Sequence, residues 1–215
     1  MQFLRAIILC VVGFCLSGSA LAIAETDNAR TSPVTLLQTV SDDLIVGLKA
    51  HKANLKSDPK VVIDLVNTIV MPHVNKDIMI KTVLGRKGYQ EWKNANDVLK
   101  QTFETQFTDL VINTYVAALQ SFDNEQVKVE ALRKPLSNER RVRLHATIIN
   151  KDGPPVAMTY IVDWEGDRWK IIDFSVEGIS LIQSYQSQFQ EILSSGGGLQ
   201  HLVDVLNKHN AAAQK

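Results

Sequence analysis

The residues best placed by type and spacing for covalent chemistry are Glu177-Gly178-Ile179-Ser180-Leu181, between a strand-like and a helix-like stretch. A serine held on such a turn would be a hydrolase nucleophile. Position 182 is isoleucine where that motif needs glycine, and no histidine–acid pair accompanies it in a recognisable signature. Ser180 with Gln183 reads instead as a capping box that satisfies free amides at a helix start. The histidines, His51, His73, His145, His201 and His209, show no HExxH or comparable ligand spacing, so no metal site is expected. Gly196-Gly197-Gly198 lack the lysine of a nucleotide loop and read as a flexible joint, with anion binding through exposed amides as the alternative.

Asp173 is weighed separately, because it lies within the strand-like WKIIDFSV. If it projects into the domain, burial raises its pKa. A buried acid in an α+β pocket is how ketosteroid-isomerase-like enzymes work, so an enzyme of that kind is the alternative reading. The sequence supplies no clear second polar group to stabilise an oxyanion, and the surrounding candidate wall is apolar. Arg133, Lys134, Arg140, Arg141 and Arg143 form a basic cluster. It reads as a solvated strand face, with docking of an acidic partner as the alternative.

The compartment is set by the first residues. Arg5 is followed by an uncharged run from Ala6 to Leu16 and then by small residues, the pattern of a signal peptide. Those eleven residues are too few for the roughly twenty of a spanning helix. Residues 1–22 are expected to be removed at Ala20-Leu21-Ala22, or at Ala22-Ile23-Ala24, leaving no permanent membrane anchor. Cys10 and Cys15 both lie in the leader, so the mature chain has neither disulfide nor thiolate site and depends on a hydrophobic core. Loss of Arg5 leaves 22 Lys plus Arg against 23 Asp plus Glu, a net charge of −1. Nucleic acid is excluded as a partner, because neutralising phosphates needs a basic excess.

The elements that would position these residues follow from periodicity. A mobile mature N-terminus is expected over 23–32, a single domain over 33–208 and a tail over 209–215. Leu37, Val40, Leu44, Ile45 and Leu48 mark an amphipathic helix from Thr35 to Leu55. Asp58-Pro59 caps a second helix that stops before Pro72. A third spans Lys76 to Leu84 and ends at Gly85, and a fourth opens at Asn96-Asp97 with a wide aromatic stripe. Gln126–Leu132, Arg140–Asn150, Val156–Trp164 and Arg168–Val176 read as four antiparallel strands. Along the second, Val142, Leu144, Ala146 and Ile148 share a dry face and Arg141, Arg143, His145 and Thr147 a wet one. Two helices, Ser180–Leu193 and Leu199 to about Lys208, close an α+β domain with its helices on the sheet's apolar face.

Pro135-Leu136, RVRLHATIIN, Pro154-Pro155-Val156 and above all WKIIDFSVEGISLIQSYQSQF resemble the MlaC family of periplasmic phospholipid-binding proteins, also called the toluene-tolerance family. The likeness runs from roughly Pro33 to Lys208. One departure is Gln186, where many relatives carry arginine after the tyrosine. The resemblance implies a soluble carrier moving diacyl phospholipid between an outer-membrane lipoprotein complex and an inner-membrane ABC transporter complex with its substrate-binding ring. It implies acyl chains between sheet and helices, with the head group near solvent. The chain would need no cofactor and no catalytic group, and would work as a monomer. The residues expected to line the cavity are Phe103, Phe107, Val111, Tyr115, Leu144, Ala146, Ile148, Met158, Tyr160, Val162, Ile171, Ile179, Ile182 and Tyr185. A lipid-free adaptor bridging the two membranes is the third reading.

Overall fold

The computed structural model describes residues 32–213, so the expected leader and most of the expected mobile segment lie outside the described residues. Six helices and one sheet are laid out in the expected α+β order. Helix α1 (Pro33–Ala50) starts with proline at its first turn, where the missing N–H is no loss. It ends five residues before the expected Leu55, and the chain turns through 51–57. Helix α2 (Pro59–Leu65) is capped by Asp58, which accepts from the Lys60 N–H as its position before proline suggests. The expected continuation to Pro72 changes character, passing through a π-helical turn (Val66–Val70) and a 3-10 turn (Met71–His73).

Helix α3 (Lys76–Asn94) corrects the expected stop at Gly85. That glycine sits at φ 61°, ψ −173° and breaks the helical geometry, but the helix resumes beyond it. Helix α4 (Asp97–Gln120) begins where Asn96 accepts from the Leu99 N–H. Its buried residues form two opposite faces, Phe103, Phe107 and Leu110 on one and Ile112 and Val116 on the other. Helix α5 (Leu181–Ser194) is capped by Ser180, and α6 (Gly198–Ala213) runs past the Lys208 where the sequence suggests it ends. Most of the expected tail is therefore helical. Asn210 is buried in it and donates to the backbone oxygen of Gln106 at 2.9 Å.

The sheet is an antiparallel meander in the order β1 (Gln126–Val129), β2 (Arg141–Ile149), β3 (Val156–Glu165), β4 (Arg168–Val176) and β5 (Ile179–Ser180). It has five strands where four are expected. The fifth is a two-residue hairpin partner of β4, made when the chain reverses at Glu177-Gly178 with φ 49° and 81°. Two successive positive φ values are what a type I′ hairpin turn requires.

Open strand edges invite unwanted pairing, and both are covered. The Gln38 side chain of α1 acts as a substitute strand for β1, donating to Val127 O and accepting from Val129 N, both at 3.0 Å. On the other side Val74 bridges to β4, with the Asn75 N–H donating to Ile171 O at 2.9 Å.

The β3–β4 ladder carries a register shift. Val162 pairs with Ile171 but Ile161 pairs with Asp173, which leaves Ile172 as an extra residue on β4. Such a bulge changes which residues share a face. Counting by twos puts Asp173 on the dry face after Trp169 and Ile171, whereas the observed register puts Phe174 there, opposite Tyr160, and Val176 opposite Met158.

Candidate functional site

The apolar interior is divided. One cluster is helical, built by Met79, Ile80, Val83 and Leu84 of α3, Phe103, Phe107 and Leu110 of α4, and residues of α5 and α6. A second lies on the sheet beneath the start of α1, with Leu37, Leu144, Ala146, Met158, Val162, Trp169 and Ile171. A third, with Leu48, Leu55, Val62, Ile112 and Val116, fixes the outer side of α4 to α1 and α2. Phe174 and Val74 pack against both the helical and the sheet cluster.

The boundary between those two clusters is an aromatic seam. Tyr115 of α4 meets Phe174 at 5.1 Å between ring centroids, and Phe174 meets Tyr160 at 6.2 Å. Tyr185 of α5 contacts Phe107 and Phe189 at 6.3 and 5.9 Å, linking the seam to the helical core. Val111, Tyr115, Tyr160, Phe174, Val176 and Tyr185 are only half-buried, although each packs against one cluster or both. Val111 and Tyr115, four apart, share the face of α4 next to the one carrying Phe103, Phe107 and Leu110. The helix thus reaches the sheet through ring side chains, with little close approach of backbone.

The expected lining residues fall into three groups. Val111, Tyr115, Tyr160 and Tyr185 are brought together along the seam. Phe103, Phe107 and Ile182 are buried in the helical core, and Leu144, Ala146, Met158, Val162 and Ile171 in the sheet core, which half-buried Ile148 flanks. Ile179 stands on the β4–β5 hairpin, paired with Val176 and so on the same face of the sheet, at the end of the seam where it is 70% exposed. Phe174, at the centre of the seam, is absent from the expected set, since its face depends on the bulge at Ile172.

Polar groups at the seam have fixed assignments. Thr114 Oγ1 donates to Leu110 O at 2.7 Å, so the 2.6 Å contact between Thr114 Oγ1 and Tyr185 Oη has the tyrosine as donor. Burial pushes the Tyr160 phenol up to about 12. Burial also raises the Tyr115 pKa, helped by Tyr185 and the Asp173 carboxylate. Neither phenol therefore acts as a base near neutral pH.

Asp173 accepts from Ser180 Oγ at 2.7 Å and from the Ile182 N–H at 3.2 Å. Ser180 Oγ in turn accepts from the Gln183 N–H at 3.1 Å. The carboxylate is the outer part of an N-terminal cap on α5, where negative charge is favourable. Each of its oxygens accepts one hydrogen bond in that role.

The basic cluster is divided as well. Arg140 and Arg141 both pair with Asp163, at 3.2 and 3.1 Å, and the aspartate is 1% exposed. Arg133 and Arg143 line a surface hollow of about 250 Å³ with Glu130 and His145. Of the expected lining set, only Leu144 touches that hollow. Among the described residues no three of His, Cys, Asp or Glu converge as metal ligands, and no helix is long and apolar enough to cross a membrane.

The class defined by these features is a small α+β domain whose helical and sheet cores face each other across a partly open aromatic boundary. Comparison with known proteins places it further. Residues 38–208 match the family described as MlaC protein, and the chain belongs to that family. It is 25% identical over 182 residues to the intermembrane phospholipid transport system binding protein MlaC of Haemophilus influenzae, covering 83% of each chain. It is 24% identical over 169 residues to the toluene tolerance protein ttg2D of Pseudomonas putida, covering 79% of this chain and 76% of that one. A solved structure of a phospholipid-binding protein from Ralstonia solanacearum in complex with a phospholipid superposes with a TM-score of 0.76 at 27% identity. That alignment covers 84% of this chain and 98% of the other.

Proposed function

We propose that this chain is a periplasmic phospholipid carrier that receives diacyl lipid between its helical and sheet cores and moves it between membranes. The observation that carries this reading is the seam. Half-buried rings of α4, α5, β3 and β4 join two otherwise separate cores, so acyl chains can enter between them without unpacking either. The names of its relatives and the phospholipid bound by the Ralstonia protein support the same chemistry.

Transfer energetics explain why such a carrier is needed. At about 0.8 kcal/mol per methylene, exposing two chains of roughly fifteen carbons costs on the order of 20 kcal/mol. A soluble domain that supplies dry walls removes most of that barrier and needs neither catalytic residue nor cofactor. The carrier works as a monomer between an outer-membrane lipoprotein complex and an inner-membrane ABC transporter complex with its substrate-binding ring, and so contributes to outer-membrane lipid asymmetry.

The test is extraction of the mature protein purified from a Gram-negative periplasm, followed by mass spectrometry of the organic phase. About one diacyl phospholipid per folded chain is expected of a carrier with one such site. Folded protein that yields only trace lipid would favour the adaptor and count against the carrier.

A further inference from the structure

Tyrosines inside a domain normally direct their hydroxyls to a protein acceptor, since an unmatched donor in apolar surroundings is costly. Tyr185 follows that rule through Thr114. Tyr115 and Tyr160 do not. Their rings lie on either side of Phe174, and no hydrogen bond joins either hydroxyl to another described residue; neither is among the buried unpartnered atoms, so both hydroxyls reach solvent. Two donors are thus open to an incoming ligand where the half-buried Val111, Phe174 and Val176 also lie.

Their surroundings restrict what they can bind. The ionic group acting on Tyr115 is the Asp173 carboxylate, which is held in place by Ser180 and the Ile182 N–H. A phosphate would bring a second anion beside it, which is unfavourable. A neutral acceptor carries no such penalty, and two acceptors a few bonds apart would use both phenols. In a diacyl lipid the groups that fit are the ester carbonyls that join the chains to glycerol.

We propose that Tyr115 and Tyr160 form an ester subsite, donating hydrogen bonds to the acyl ester carbonyls of the bound lipid and setting how deeply it sits. This rests on the carrier reading and adds a polar anchor to the apolar walls. The anchor places the glycerol level with Phe174, so both chains run into the seam and the phosphate stays away from Asp173. It also gives the site a chemical selectivity that apolar walls lack. Ether oxygens are weaker acceptors than ester carbonyls, so a dialkyl lipid of equal chain length fills the same volume without the bonds.

The experiment is a competition. Delipidated mature protein is incubated with mixed vesicles holding equal amounts of diester phosphatidylglycerol and its diether analogue with identical chains, and bound lipid is quantified by mass spectrometry. The unaltered protein is expected to favour the diester about three- to tenfold per hydroxyl engaged, the range for a net neutral hydrogen bond. Tyr115→Phe with Tyr160→Phe should bring the ratio close to one while diether uptake persists, which also shows that the variant still folds. Equal uptake of both lipids by the unaltered protein overturns the subsite and leaves the carrier standing. Uptake of neither overturns the carrier. A double variant that keeps the full diester preference overturns the assignment to these two residues.

Discussion

At the scale of single residues, Asp173 shows how one side chain can be read in opposite ways from sequence and from structure. Counting by twos along Trp169-Lys170-Ile171-Ile172-Asp173 directs it inward, as a buried acid. The extra residue at Ile172 cancels that count, and the carboxylate goes to the start of α5, where it meets Ser180 Oγ and the Ile182 N–H. The expected effect of Asp173→Ala is therefore a loss of about 1–2 kcal/mol of stability, the usual worth of a helix cap, with lipid content retained. Urea unfolding of the delipidated protein measures it. An unchanged midpoint would mean that the cap is idle, and a small-molecule turnover abolished in Asp173→Asn would restore the isomerase reading. The same bulge explains the omission of Phe174. Two adjacent isoleucines carry no local mark showing which of them is the extra residue, whereas caps such as Asp58-Pro59, Asn96 and Ser180 act within three residues and are legible directly.

At the scale of elements, the sequence suggests α3 as a short helix closed by glycine, and the structure retains the glycine's conformation while continuing the helix. Gly85 occupies φ 61° and ψ −173°, a region that is almost closed to residues with a Cβ. The break is supported from α5, where Gln186 Nε2 donates to Thr82 O at 2.7 Å. Gln186 is thus given a positioning role at this break. A Cβ at Gly85 would come within 2.7 Å of Gln190 Nε2, but that amide ends a flexible side chain and can swing aside. The backbone is the larger obstacle. Gly85→Ala is expected to lower stability by about 1–3 kcal/mol, read as a reduced urea midpoint with the slope unchanged. A midpoint equal to that of the parent would show that α3 can straighten at no cost, and the break would then have no structural role.

At the scale of the whole molecule, the division into separate cores is what the sequence conveyed least. Apolar periodicity marks Ala146 and Val111 alike as inward-facing, yet Ala146 is 2% exposed beneath α1 and Val111 is half-buried on the seam. Period alone cannot distinguish a residue packed against its own layer from one facing a boundary between layers, because both are apolar for the same reason. Enlarging the two should therefore have opposite consequences. Ala146→Leu forces methylenes into a closed core and is expected to cost about 1–3 kcal/mol in the delipidated protein. Val111→Trp adds its ring to a partly open boundary that already contains Tyr115 and Phe174, and should cost less than about 1 kcal/mol while displacing most of the lipid. Delipidation is essential, because bound ligand itself raises apparent stability and its loss would imitate core damage. Thermal unfolding of the two delipidated variants, set beside the lipid extracted from their native preparations, separates the outcomes. Full lipid content in Val111→Trp would move the acyl chains off the seam. A delipidated stability loss as large as that of Ala146→Leu would instead make Val111 part of the closed helical core, and the space between the cores would have to be sought along another face of α4.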